Sequence, residues 1–149
     1  MTRLVAVSRA VHTVLLVVLA AAPAAAQTPW ERQADDRLRA MSTDLARQGW
    51  HYAGNPFTGR LAEGARDSLR IALREGTRYA LVAFCDGNCR DLGITLLGET
   101  YTLLAEGMVR SDRPLLEFQP GVTGKYRIVV SMAHCGSNPC AYGIGVFTK

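Results

Sequence analysis

Four cysteines are the side chains in this sequence whose type and spacing best suit covalent chemistry. They fall in two short loops, Cys85-Asp86-Gly87-Asn88-Cys89 and Cys135-Gly136-Ser137-Asn138-Pro139-Cys140. Two chemistries compete: a structural disulfide and a reactive dithiol. In an extended strand, residues four apart are separated by roughly 13 Å, beyond disulfide reach. Asp, Gly, Asn, Ser and Pro between them are turn formers, and a turn brings each pair together. Geometry thus favours local pairing, Cys85–Cys89 and Cys135–Cys140, with the other two connectivities left open. Closing such small loops contributes only about 2 kcal/mol each, against about 4 for a Cys85–Cys140 link, so geometry rather than benefit favours the local pairs. The alternative is a thiol–disulfide oxidoreductase using Cys85 and Cys89. It lacks the Cys-x-x-Cys spacing at a helix start, and the charge of Asp86 disfavours a thiolate. The spacings also miss the paired Cys-x-x-Cys of zinc ribbons.

Oxygen donors crowd the first loop. Asp86, Asn88, Asp91 and the more distant Asp112 are the candidate ligands for calcium, which takes six to eight oxygens. The competing reading is turn chemistry, where Asp and Asn are common. His51 and His134 stand apart, and a His134–Cys135 pair needs a free thiol that local pairing denies. Ser131 and Ser137 have no credible base, and no catalytic carboxylate pair emerges. A non-enzyme is expected.

These loops need strands to hold them, and the surrounding sequence supplies strand patterns. The first 26 of 149 residues read as a secretory signal peptide. Arg3 and Arg9 open it, Ala10 to Ala22 is apolar except for His12 and Thr13, and Ala24-Ala25-Ala26 ends it before Gln27. The apolar run is short of the roughly 20 residues a membrane span needs. Past the leader, 15 of the 17 basic residues face 13 acidic ones, a net of +2. No basic patch is interleaved with aromatics, so nucleic acid is not an expected partner. An even cysteine count in an exported chain fits an oxidising compartment, periplasmic or extracellular in a bacterium.

Residues 27–50 read as one amphipathic helix. Thr28-Pro29-Trp30-Glu31 is a capping-box start. Trp30, Ala34, Leu38, Met41 and Leu45 form an apolar stripe, and Gly49 supplies the left-handed stop. The stripe is expected to cover the domain or its edge, with a partner surface as the alternative. Trp50 to Gly64 reads as a loop or short strand leading into the domain.

From there the period shortens to two. Leu69, Ile71 and Leu73 alternate with polar residues. Tyr79 to Phe84 is almost wholly apolar, which marks a central strand. Strands are expected next at Leu92–Leu96, Thr100–Leu104, Met108–Arg110, Leu115–Phe118, Tyr126–Val130 and Tyr142–Phe147, separated by Gly or Pro turns. The pattern predicts a mainly β, antiparallel, jelly-roll-like sandwich of about eight strands over residues 51–149. A turn, a tyrosine, an apolar strand and a cysteine loop occur twice, from Gly76 and from Gly124, and suggest two like hairpins facing each other.

Gly76 and Tyr79, Asp91-Leu92 with Ile94 and Leu96, Gly107 to Asp112, and Thr123-Gly124-Lys125-Tyr126 follow in order along the chain. On these residues the portion from about Leu69 to Phe147 resembles the bacterial pre-peptidase C-terminal domain, a small β-sandwich found beside secreted peptidases. The family's Asp-x-Asp-Leu is reduced here to Arg90-Asp91-Leu92-Gly93, and the cysteine loops are not general to it. The resemblance implies an accessory module that aids secretion or stability or binds a polymer, with calcium in some members. The resulting expectation is an exported, disulfide-stapled, non-catalytic module contacting an envelope or extracellular protein or polysaccharide. The alternatives are the oxidoreductase above and a structural envelope protein that oligomerises through the helix.

Overall fold

The computed structural model describes residues 29–107 and 113–149. The leader, the Thr28 cap, the strand expected at Met108–Arg110 and Asp112 lie outside the described residues. A helix, α1 (Pro29–Arg47), precedes nine strands among the described residues: β1 (His51–Tyr52), β2 (Phe57–Leu61), β3 (Arg66–Leu73), β4 (Tyr79–Cys85), β5 (Cys89–Leu97), β6 (Leu103–Glu106), β7 (Leu115–Phe118), β8 (Gly124–Cys135) and β9 (Cys140–Thr148).

The strands form two antiparallel sheets. In the first, β9 and β4 lie at the centre, β7 flanks β4, and β1 and β2 both pair with β9. The second has the order β3-β8-β5-β6. The sheets pack face to face. Leu81, Ala83, Ile144 and Val146 of the first meet Leu92, Ile94, Leu96, Ile128 and Val130 of the second in one core.

β4 is buried at every position, and the reason is a third layer. Tyr79, Leu81, Ala83 and Cys85 face the second sheet, while Ala80, Val82 and Phe84 face α1. Strands covered on both faces read as continuous apolar runs. The helix stripe is thus occupied by its own chain: Ala34, Leu38 and Leu45 are buried against the outer face of the first sheet. Trp30 meets Phe84 with ring centroids 6.1 Å apart. Gly49, at φ 85, closes the helix, and the Trp50 amide bonds the Leu45 carbonyl at 3.0 Å.

β9 makes room for this helix with glycines. Phe84 and Gly143 are register partners. A Cβ on Gly143 would lie 2.5 Å from Phe84 Cζ, and one on Gly145 would lie 2.5 Å from Leu38 Cδ2.

Three expectations change. Trp50 to Gly64 holds two strands, not one, and both extend the first sheet. The strand expected at Thr100–Leu104 begins at Leu103, because residues 98–102 close the turn: the Gly98 amide bonds the Thr102 carbonyl at 2.8 Å, and Tyr101 adopts φ 62. The two cysteine loops do not close hairpins. β4 and β5 belong to different sheets, as do β8 and β9, so each loop arches from one sheet to the other.

Gly143→Ala drives a methyl into the Phe84 ring, and overpacking of this kind costs about 1–3 kcal/mol. Urea unfolding will show the lower midpoint. Trp30 emission in the folded variant will shift to the red as the helix lifts from Phe84.

Candidate functional site

The two arches emerge at the same end of the sandwich. Cys85 and Cys140 stand on the first sheet, Cys89 and Cys135 on the second. The bonds are Cys85–Cys89 and Cys135–Cys140, each with a Cα–Cα distance of 5.8 Å. The favoured local pairing is the one formed, and each disulfide joins one sheet to the other. On the first sheet both cysteines continue the inward alternation of their strands: Tyr79, Leu81, Ala83, Cys85, and Cys140, Tyr142, Ile144. On the second sheet they do not. Cys89 is three residues from the inward Leu92, and Cys135 three from the inward Met132. The ladder slips between Cys89, Asp91 and Leu92, leaving Cys89 opposite Cys135 and Leu92 opposite Met132. Such a bulge reverses which face a residue takes, and here it turns both sulfurs inward. All four cysteines are at most 6% exposed, and none is free. A reactive dithiol needs an accessible sulfur, so burial disfavours the oxidoreductase reading.

Hydrogen bonds tie the arches to each other. Asp86 is central. Its Oδ1 accepts from the Asn88 amide at 3.0 Å, and its Oδ2 from the Ala141 amide at 2.8 Å. Its own amide donates to the Ala141 carbonyl at 3.0 Å, and the Gly136 amide donates to the Asn88 carbonyl at 2.8 Å. The β2–β3 loop joins from the side. Glu63 Oε2 accepts from the Cys135 amide at 2.9 Å and lies 3.4 Å from His134 Nδ1. The Glu63 amide donates to Asn138 Oδ1 at 2.8 Å. Helix α1 reaches the same end, where Arg37 Nη1 donates to the Cys85 carbonyl at 2.7 Å. Around this frame Gly87, Asn88 and residues 136–139 stay exposed.

The candidate calcium donors divide. Asp86 and Asn88 sit in the first arch, and Asp91 on β5 opposite His134. Asp112 lies outside the described residues. Among the described residues, no three His, Cys, Asp or Glu side chains gather as a metal cluster. Both oxygens of Asp86 already serve backbone amides. His134 stands beside a bonded sulfur, not a thiol.

No family model and no curated protein matches the chain. Among solved structures, the pre-peptidase C-terminal domain of collagenase from Bacillus anthracis is similar at 16% identity, over 62% of this chain and 87% of that one, with a TM-score of 0.48. A periplasmic lysozyme inhibitor of g-type lysozyme from Aeromonas hydrophila is similar at 12% identity, over 68% of this chain and 90% of that one, with a TM-score of 0.50. The resemblance is one of fold. No helix among the described residues is long and apolar enough to cross a membrane.

Sequence reasoning missed Glu63, Asn138 and Tyr142. Glu63 carries no motif, since its role depends on a loop 72 residues from Cys135 in sequence. Tyr142 shares the inward face of β9, but its hydroxyl crosses the core to donate to Asp67 Oδ2 at 2.6 Å. Gly59, its register partner, permits this, because a Cβ there would lie 2.6 Å from the tyrosine oxygen. Burial first, then the hydrogen bond and charge of Asp67, push the Tyr142 hydroxyl far above its ordinary value of 10.0.

Two outcomes are expected. Asp86→Ala unties two amides and lowers stability by about 1–3 kcal/mol. Because those oxygens bond backbone, thermal melting will show the same loss with and without added calcium. Tyr142 stays neutral in the folded chain while an unfolded tyrosine ionises above pH 10.0. Its contribution is therefore complete below that pH and declines as pH rises beyond it. Tyr142→Phe will be less stable at neutral pH but will lose less stability across the alkaline window, as paired urea titrations will show.

Proposed function

We propose that this chain is an exported, non-catalytic binding module that grips an extracellular or periplasmic protein through its disulfide-stapled end. The observation that carries the reading is the pre-organisation of the exposed loops there. Each is covalently closed, and their backbones are bonded to each other through Asp86 and Asn88. A loop already fixed in its bound shape loses little entropy on association, so more of the contact energy appears as affinity. The exposed residues suit contact rather than catalysis. Asn88, Ser137 and Asn138 offer side-chain donors and acceptors, while Gly87 and Gly136 leave backbone open to close approach.

The fold neighbour from Aeromonas hydrophila is described as an inhibitor of g-type lysozyme. A secreted glycan-cleaving enzyme is therefore the first partner class to test. A polysaccharide bound through the same loops is the second.

The test is titration of the oxidised protein against a panel of lysozymes that includes the g-type, read by calorimetry and by cell-wall hydrolysis. Asn88→Arg and Ser137→Arg place bulk at the tip without touching the core. Wild-type protein will bind and inhibit at least one enzyme, and either variant will weaken this by tenfold or more, about 1.4 kcal/mol. Binding that ignores both variants would remove the stapled end from the interface. No binding across the panel, together with binding to peptidoglycan fragments, would move the ligand from protein to glycan.

A further inference from the structure

The end of the sandwich opposite the disulfides has a different chemistry. The β5–β6 turn (98–102) and the β7–β8 loop (119–123) project there beside each other, with a hollow of about 490 Å³ between Leu104, Phe118 and Val122. This tip carries the three most exposed large apolar side chains among the described residues: Tyr101 and Val122 at 66% and Leu103 at 58%. Single exposed apolar residues are ordinary, but several at one tip mark a contact surface. The backbone is constrained to present one of them. Tyr101 lies at φ 62, a conformation rare for a bulky side chain, within a turn closed from Gly98 to Thr102. Strain of this kind persists where the surroundings impose it, and it gathers at functional positions.

Cations lie directly behind the tip, on the face of the second sheet away from α1. Arg70 on β3 and Arg127 on β8 are register partners, and like charges placed opposite one another destabilise a sheet. Lys125 is two residues from Arg127, on the same face. The Arg127 guanidinium lies 4.9 Å from the Tyr101 ring centroid and donates to its hydroxyl at 3.2 Å. Its other bond goes to Ser68 Oγ, also neutral. A hollow of about 260 Å³ is bounded by Arg70, Tyr101, Lys125 and Arg127, with Glu99 as its one carboxylate. Three cations against one carboxylate leave this hollow positive.

We propose that this tip docks on an anionic lipid surface. Tyr101, Leu103 and Val122 enter the boundary between headgroups and acyl chains, and Arg70, Lys125 and Arg127 meet lipid phosphates. Protruding apolar residues backed by basic ones suit an interfacial anchor, in which buried apolar area and attraction to anionic lipid act together. The charge of the hollow is complementary to phosphate, and its repulsive Arg70–Arg127 pair is relieved when an anion lies between them. Docked this way, the chain holds its stapled loops away from the lipid.

The test is co-sedimentation of the oxidised protein with vesicles of phosphatidylglycerol and phosphatidylcholine, against vesicles of phosphatidylcholine alone. The mixed vesicles will bind the protein, less as salt rises, and Lys125→Glu or Arg127→Glu will reduce the apparent affinity by about tenfold. Val122→Ser will reduce it as well without lowering the melting temperature, since Val122 is exposed. Val122→Trp will report entry into the bilayer by a blue shift on adding mixed vesicles. Equal binding to neutral vesicles, no binding, or indifference to the charge reversals would overturn the proposal. So would soluble poly-glutamate bound as tightly as the mixed vesicles, which would point to an acidic protein instead.

Discussion

Each cysteine loop carries the chain from one sheet to the other, and each is closed by a disulfide. The two sheets are therefore joined covalently at one end as well as by their shared apolar core. This constraint explains several otherwise odd features. The ladder between β5 and β8 is irregular at Cys89–Leu92 because a regular alternation would turn Cys89 and Cys135 outward. Asp86 sits inside the first arch, where its carboxylate reaches the amide after Cys140 and bonds one arch to the other. Glu63 closes the side of the same frame through the Cys135 amide. Exposed loops of this size are ordinarily the mobile parts of a fold. Here they are the most heavily cross-linked.

The other organising fact is that β4 and β9 are covered on both faces. One face forms the sandwich core, and the other receives α1. Phe84 lies over Gly143 and Leu38 packs against Gly145, so glycines in β9 let the helix come close while its stripe packs on Ala80, Val82, Phe84 and Phe147. The helix also donates to the Cys85 carbonyl from Arg37, which couples its position to the stapled end. The two ends of the sandwich then diverge. One is polar and cross-linked. The other carries Tyr101, Leu103 and Val122 beside a cluster of cations.

Much of this was legible from local pattern. The period-three and period-four stripe identified α1, and the almost wholly apolar run of Tyr79–Phe84 identified a central strand. The turn residues between the cysteines favoured the disulfide pairs that form. What local pattern could not supply was which sheet each strand joins. Two cysteine loops with the same outline read as hairpins, although both are arches, because the distinction depends on pairings distant in sequence. The phase break was nonetheless present in the residues. Leu92, Ile94 and Leu96 alternate, and Cys89 falls out of step with them. Tyr101 and Thr102 have strand-forming side chains, yet hydrogen bonding around Gly98 claims them for a turn. The carboxylate of Asp86 suited both a cation and a turn, and the positions of the Asn88 and Ala141 amides show which groups it bonds.

The central claim is that the disulfides and the Asp86 network hold the exposed arches as rigidly as the strands that bear them. Amide hydrogen exchange tests this most directly, because it reads the opening of individual bonds. In the oxidised protein the amides of Asp86, Gly136 and Ala141 should exchange on the slow timescale of β4. In Cys135→Ala/Cys140→Ala the same three should exchange much faster while β4 stays protected. Exchange of these amides at free-loop rates in the oxidised protein would contradict the claim.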